Sequence, residues 1–540
     1  MEFAVEPPLG EDDSYLTQVP SHPQKRGNTV PFRSILFEEP QAGTNLNGQE
    51  APEFFTDLNL DQVVASITAG RDEYNLKPFF YAPLSSVETI NYRHDVLRDL
   101  ENQELLGYIR SFAQELRTMR GHLAQADKLQ YKYQKERWFL DAVDIYCSAI
   151  SRLGRDLTLT DPRSRGFLAF RDYLTSYTES SDFGSLLAET QKFQADLSGI
   201  RYCLHIEGKR IRVGQYDSES DYGADVLQTF EKFKQGAAKE YRFDFSSVPE
   251  MNHVEAAVLD LVAKLYPGVF SSLDEYCSRH RGYLDSTIGA FDREVQFYVA
   301  CIEHIERFKP AGLPFCYPTV TDRSKEVYGR EVFDLALANK LIRENAPIVT
   351  NDFALRDPER ILVVSGPNQG GKTTFARTFG QLHYLASIGF PVPGREARLF
   401  LFDRLFTHFE REEDIRNLSS KLEDDLLRIH RIVELATPNS ILIMNESFVS
   451  TTLTDALFLS KQVMQQIIQR DMLSVSVTFL DELASLSQTT VSMVSTVDSE
   501  DPARRTFKIV RRPADGLAYA AAIAEKYHLT YASVKRRIAP

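Results

Sequence analysis

The sequence predicts a two-part chain: a predominantly α-helical region with one small β-hairpin over 56–330, then an α/β domain built on a mostly parallel sheet over 331–540. Three observations predict it. Phe139, Val143, Tyr146, Ile150 and Leu153 recur at three- and four-residue steps, the period of an amphipathic helix. From about Glu331 strand-like and helical segments alternate, the pattern of a parallel sheet with covering helices. The apolar run Ile361-Leu-Val-Val364 leads through a glycine-rich loop into a helically spaced segment, Phe375 to Ile388.

Residues 1–55 are rich in Pro, Gly, Asn and acidic side chains and read as an extended arm, whose apolar island at Phe32 to Phe37 is the part able to dock on the body. From Leu58 to about Pro310 helical periodicity dominates, and the Phe139 to Leu153 stripe reads as core rather than as a ligand site. Two β-rich runs around Glu207-Gly208 predict a hairpin over 201–213. Its Lys209, Arg210 and Arg212 have the chemistry to touch phosphate, but the acidic stretch after them favours a solvated face. The same reading is preferred for Lys128, Lys132 and Lys135 around Tyr131 and Tyr133. Pro310, Gly312 and Pro314 punctuate the end of the helical region. Beyond it, Ile361 to Ser365, Ile441 to Asn445, Ser474 to Phe479 and Thr506 to Val510 are strand candidates.

With 540 residues the chain has room for two to four domains. A net charge of -14 argues against a protein that coats nucleic acid by bulk electrostatics, so any such contact rests on local patches. Cys147, Cys203, Cys277, Cys301 and Cys316 lack metal-ligand or redox spacing and read as reduced thiols of a reducing, cytoplasmic setting. The acidic, Pro-containing N-terminus fits neither a signal nor a transit peptide, and no apolar run reaches about 18 residues, so no membrane partner is expected.

Gly366-Pro-Asn-Gln-Gly-Gly-Lys-Thr-Thr374 has the spacing of a phosphate-binding loop between a strand and a helix. Gly366, Gly370 and Gly371 let backbone N–H groups approach phosphate oxygens, with Pro367, Asn368, Gln369 and Thr374 completing the loop. Lys372 is placed for the β- and γ-phosphates and the Thr373 hydroxyl for Mg²⁺. A second element, Ser440-Ile-Leu-Ile-Met-Asn445-Glu446, is an apolar run ending in a polar pair. The amide of Asn445 can meet Mg²⁺ through water but adds no charge, which predicts weak Mg²⁺ affinity or slow hydrolysis. Glu446 has the chemistry of a general base; its plainer reading is an acid at a helix N-terminus. Ser419-Ser420 reads first as a helix cap and second as a γ-phosphate contact.

These pieces, together with LASIGFPVP, DRLFTHFEREEDIRNLSSKLEDDL, VTFLDELASL and GLAYAAAIAEKYHLTYASVKRRI, resemble the ATPase domain of the MutS family of DNA mismatch-repair and recombination proteins. The resemblance covers roughly Pro347 to Ile538 and continues faintly at Phe80 to Asp95. It implies an ABC-type P-loop ATPase using ATP and Mg²⁺, a homodimer with composite sites, and a helical core and lever leading to DNA. It also implies that Asn351 and Ile348 stand near the adenine, and that the region of Ser419 meets the γ-phosphate from the partner subunit. The sequence departs from the family at Asn445, where the family has Asp, and at Phe479, where it has a His that senses γ-phosphate. The family's mismatch-reading Phe-x-Glu is matched by Phe37-Glu38-Glu39, but in the arm, with no domain around it.

The expected function is ATP-dependent binding of mismatched, branched or otherwise distorted DNA without direct mismatch reading, with slow hydrolysis coupled to a change in the dimer. The alternative is a nucleotide-gated dimeric scaffold for a protein partner, with little hydrolysis and no DNA. A transporter ATPase subunit is disfavoured by the helical region on the same chain.

Overall fold

The computed structural model describes residues 32–38, 49–218, 251–410, 421–498, 504–514 and 529–538. Helices fill the N-terminal region. The two longest, Gln103–Lys128 and Lys132–Thr160, are joined by three residues, a connection short enough to force antiparallel packing. At 1.5 Å per residue the longer one spans about 43 Å. Val143, Tyr146, Ile150 and Leu153 of the stripe are buried, and Phe139 packs against the core edge, so the stripe is core. The helices start where short polar side chains accept backbone N–H groups: Asn102, Ser164, Ser180 and Asp285. Asn252 and Glu255 form a complete capping box.

The apolar island of the arm is docked. Ile35 and Leu36 are fully buried, and the Phe32 ring lies 5.0 Å from that of Phe170. Ser34 Oγ and Ile35 N–H both donate to Glu294 Oε2 at 2.8 and 3.0 Å. Tyr92, Arg93 and Tyr298 donate in turn to the carbonyls of Ser34, Leu36 and Ile35. Backbone groups that burial strips of water are thereby satisfied, which fixes this extended segment without secondary structure of its own.

His304, on the helix Ser286–Glu306, is fully buried and neither ring nitrogen has a partner among the described residues. Burial, helped by Arg307, depresses its pKa to about 3 from an ordinary 6.5. Above pH 6.5 the ring is neutral folded or unfolded. As pH falls from 6.5 toward 3 only the unfolded chain takes the proton, so stability is lost over that window. His304→Phe is expected to gain about 2 kcal/mol relative to wild type between pH 8 and pH 5, read from urea unfolding at the two pH values. An equal difference at both would contradict it.

The hairpin forms, with Tyr202–Glu207 paired antiparallel to Arg210–Gln215 about a two-residue turn at Gly208-Lys209. Lys132 is half exposed and pairs with Asp274 at 2.9 Å, as expected of a solvated face.

A six-stranded mixed sheet organises the C-terminal region in the order Leu405–Phe409, Ile441–Asn445, Leu473–Val477, Ile361–Ser365, Thr490–Val497, Arg505–Arg511. All neighbours are parallel except the last pair. The four predicted strands are present, with Leu473–Val477 ending two residues before the expected Phe479. Leu405–Phe409 and Thr490–Val497 were not anticipated, nor was a second, four-stranded sheet of Thr319–Thr321, Glu396–Phe400, Val327–Val332 and Asn351–Leu355. The helix after the glycine loop runs Lys372–Ser387 and is buried almost throughout, packed between the main sheet and the segment 54–58. Among the described residues no single helix is long and apolar enough to cross a membrane.

Candidate functional site

Parallel pairing brings distant residues together. Asn445 is in register with Val477, and Val477 with Val364 on the next strand. Gly366 and Glu446, one or two residues further along, therefore reach the same C-terminal sheet edge, where open α/β sheets place ligands.

The loop 366–371 curls around the Lys372 side chain. Lys372 Nζ donates to the carbonyls of Gly366 and Pro367 at 3.1 Å each and to Asn368 Oδ1 at 3.3 Å. Burial lowers the pKa of this ammonium, Glu446 opposes the shift and Arg505 adds to it. Asn368 and Gln369 are exposed at the loop tip, Pro367 is buried, and Thr373 and Thr374 are half-buried on the first turn of the helix.

Two glycines are dictated by a neighbour more than 120 residues away in the chain, Ser495. Gly366 has φ +113°, and a Cβ there would stand 2.9 Å from the Ser495 carbonyl oxygen. A Cβ on Gly370 would stand 2.2 Å from Ser495 Oγ, which donates to the Gly370 carbonyl at 2.7 Å. The strand Thr490–Val497 thus braces the loop from beneath. Gly370→Ala is expected to cost about 1–3 kcal/mol of stability by urea unfolding of the full chain, and Ser495→Gly to recover most of that loss. Equal stability of Gly370→Ala and wild type would remove Ser495 from this role.

Opposite the loop, Thr373 Oγ1 donates to Asn445 Oδ1 at 2.8 Å, and Glu446 Oε1 lies 4.0 Å from Lys372 Nζ. Four of the expected residues therefore meet at one point. Glu446 is not a helix N-terminal acid: the next helix begins at Leu453, capped by Thr452. Instead Glu446 sits in a turn directly after its strand, at φ +53°, anchored by its N–H to the Val477 carbonyl at 2.9 Å.

Other expected residues fare differently. Asn351 begins the strand Asn351–Leu355 of the second sheet, and its amide is committed: Nδ2 donates to the Phe507 carbonyl at 3.1 Å and Oδ1 accepts from Ile509 N–H at 2.8 Å. It locks the second sheet to the edge strand Arg505–Arg511. That lock holds Phe507, which the sequence reading missed, with its Cα and Cβ 3.8 Å from where a Cβ on Gly371 would be; its ring is half exposed. An aromatic residue in a strand gives no signal of its own. Ile348 is half-buried against the main core. Ser419 lies outside the described residues, as does its possible cap at Ser420. Phe479 is half exposed, beyond the strand that separates Ile441–Asn445 from Ile361–Ser365.

A central parallel strand, a glycine loop closed around a lysine and a helix begun at that lysine define an α/β domain with its polar cluster at the strand ends. Residues 362–531 match the family model for MutS domain V, and the C-terminal part of the chain is of the MutS family. Similar curated proteins include the DNA mismatch repair protein MutS of Syntrophomonas wolfei, 32% identical over 134 residues, 25% of this chain and 16% of that protein. The MutS of Oleidesulfovibrio alaskensis is 31% identical over 147 residues, 27% of this chain and 16% of that protein. Endonuclease MutS2 of Thermus thermophilus is 29% identical over 190 residues, 35% of this chain and 25% of that protein. The matches thus span a quarter or less of these relatives' length.

Proposed function

We propose that this chain is an ATP-dependent DNA-binding protein of the MutS type, working as a homodimer on mismatched, branched or otherwise distorted duplexes without reading mismatches itself. The observation that carries the proposal is the convergence of Lys372, Thr373, Asn445 and Glu446 on the glycine loop. Two hard oxygen donors, the Thr373 hydroxyl and the Asn445 amide, stand 2.8 Å apart beside a buried ammonium, a donor set suited to Mg²⁺ next to phosphate. Lys372 would exchange its loop carbonyls for phosphate oxygens, and the half-exposed Phe507 offers a surface for the base. Bound Mg²⁺ supplies charge neutralisation on the phosphates. Glu446 then orients and deprotonates the attacking water.

Asn445 contributes no negative charge and Phe479 no proton, so hydrolysis in this reading is slow. Mismatch reading by Phe37-Glu38-Glu39 is disfavoured: Phe37 lies under the Arg93 guanidinium and Glu38 pairs with Arg165 at 2.7 Å. Asn445 and Phe479 equally support the second reading, a nucleotide-gated dimeric scaffold for a protein partner. Binding of linear, mismatched and four-way-junction DNA, with and without ATP at two salt concentrations, separates them. Salt-sensitive, ATP-dependent binding to a distorted duplex is expected. No binding to any DNA with ATP present would sink the first reading in favour of the scaffold.

A further inference from the structure

Ser447, His408 and Asp425 form a chain outside the cluster described above. His408, on Leu405–Phe409, is fully buried. Its Nδ1 lies 3.0 Å from Ser447 Oγ, and its Nε2, which makes no hydrogen bond among the described residues, faces the Asp425 carboxylate with Oδ1 3.4 Å away. Asp425 is itself buried on the helix Lys421–Leu435, and among the described residues His408 is its only charged partner. The negative charge of the nearby carboxylate favours the proton on Nε2. Nδ1 is then left to accept from the Ser447 hydroxyl.

The order of side chains is that of a nucleophilic triad, without its His–Asp hydrogen bond, and the pocket beside Ser447, walled by Met444, Phe448, Met464 and Thr478, has a volume of only about 10 Å³. That is room for a single water at most, not for an acyl substrate. The chain therefore acts on the protein. What it holds is a strained turn: Glu446 and Phe448, on either side of Ser447, both lie in the left-handed region, at φ +53° and +61°, which side chains disfavour. The Glu446 N–H bond to Val477 and the buried Phe448 ring pin the turn from within the sheet layers. Ser447 is the pin that leads out, through His408, to the helix Lys421–Leu435, which Arg428 also ties to the Phe409 carbonyl at 3.2 Å.

We propose that His408, oriented by Asp425, is a positioning residue that holds Ser447 and so aims the Glu446 carboxylate. The proposal rests on Glu446 being the base for hydrolysis.

The test uses the full chain with MgATP. His408→Leu and Ser447→Ala are each expected to lower kcat about 10- to 100-fold with KM unchanged. The double variant is expected to fall no further than either single one. His408→Asn places an amide oxygen near the lost Nδ1 and is expected to restore most of kcat. Hydrogen exchange of a peptide covering 441–452 is expected to quicken in His408→Leu and Ser447→Ala and to stay slow in His408→Asn, a readout that needs no turnover. If Glu446→Gln abolishes turnover while His408→Leu keeps the wild-type kcat, the relay is wrong and the base stands. Turnover indifferent to Glu446→Gln overturns both. Equal losses in His408→Leu and His408→Asn, or unchanged exchange in 441–452, overturn the relay alone.

Discussion

Glu446→Gln is expected to lower ATP turnover at least about 100-fold while nucleotide affinity stays near that of wild type. The amide keeps the shape of the carboxylate but cannot take a proton from water. The substitution is local, because the turn is fixed by its backbone: the Glu446 N–H bond to Val477 and the buried Phe448 ring do not depend on the carboxylate. Removing a negative charge 4.0 Å from Lys372 also leaves the ammonium freer for phosphate, so binding holds or tightens. Single-turnover hydrolysis and equilibrium nucleotide binding measured on the same preparation separate the two effects. Unchanged turnover would show that the base lies elsewhere or that the chain does not hydrolyse through this turn.

Arg93→Ala is expected to destabilise the full chain by about 3 kcal/mol or more, measured by urea unfolding. Arg93 is 1% exposed and its guanidinium donates to two carbonyls, Leu36 of the arm at 3.2 Å and Ile388 at the end of the helix Lys372–Ser387 at 2.7 Å. It also stacks between the rings of Phe37 and Phe297, at 4.8 and 5.1 Å. Truncation leaves two buried acceptors without donors and a cavity between rings. Lys in its place carries the charge but not the planar fork that serves both carbonyls, so Arg93→Lys is expected to recover little. An unfolding midpoint unchanged by Arg93→Ala would mean that the arm and the helix end are held by other contacts.

The parts of this protein legible in its sequence are those whose signal is local. The loop 366–371 follows a buried strand and precedes a helix, all within 30 residues, and Asn445-Glu446 ends a run of four buried apolar residues. The stripe from Val143 to Leu153 is local in the same way. What escaped depends on pairing across long separations. Thr490–Val497 is a central strand whose Ser492 and Ser495 break the apolar pattern, and Ser495 is tolerated because its hydroxyl finds the Gly370 carbonyl 125 residues away. The second sheet joins strands from 319 to 400, three of them no longer than five residues and each stable only beside its partners. Asn351 shows the limit most clearly: the family resemblance put it near the adenine, while the bonds to Phe507 and Ile509 that occupy its amide depend on a strand more than 150 residues away. The Ser447–His408–Asp425 chain was invisible for the same reason, since nothing in the order of residues 408, 425 and 447 announces that they meet.

The nucleotide site stands or falls on titration of MgATP into the wild-type chain and into Lys372→Ala. Saturable binding to wild type, weakened at least about 10-fold in the variant, is the expected result, because Lys372 is the charge around which the loop closes. No binding to wild type, or equal binding to both, would contradict a nucleotide site at 366–374.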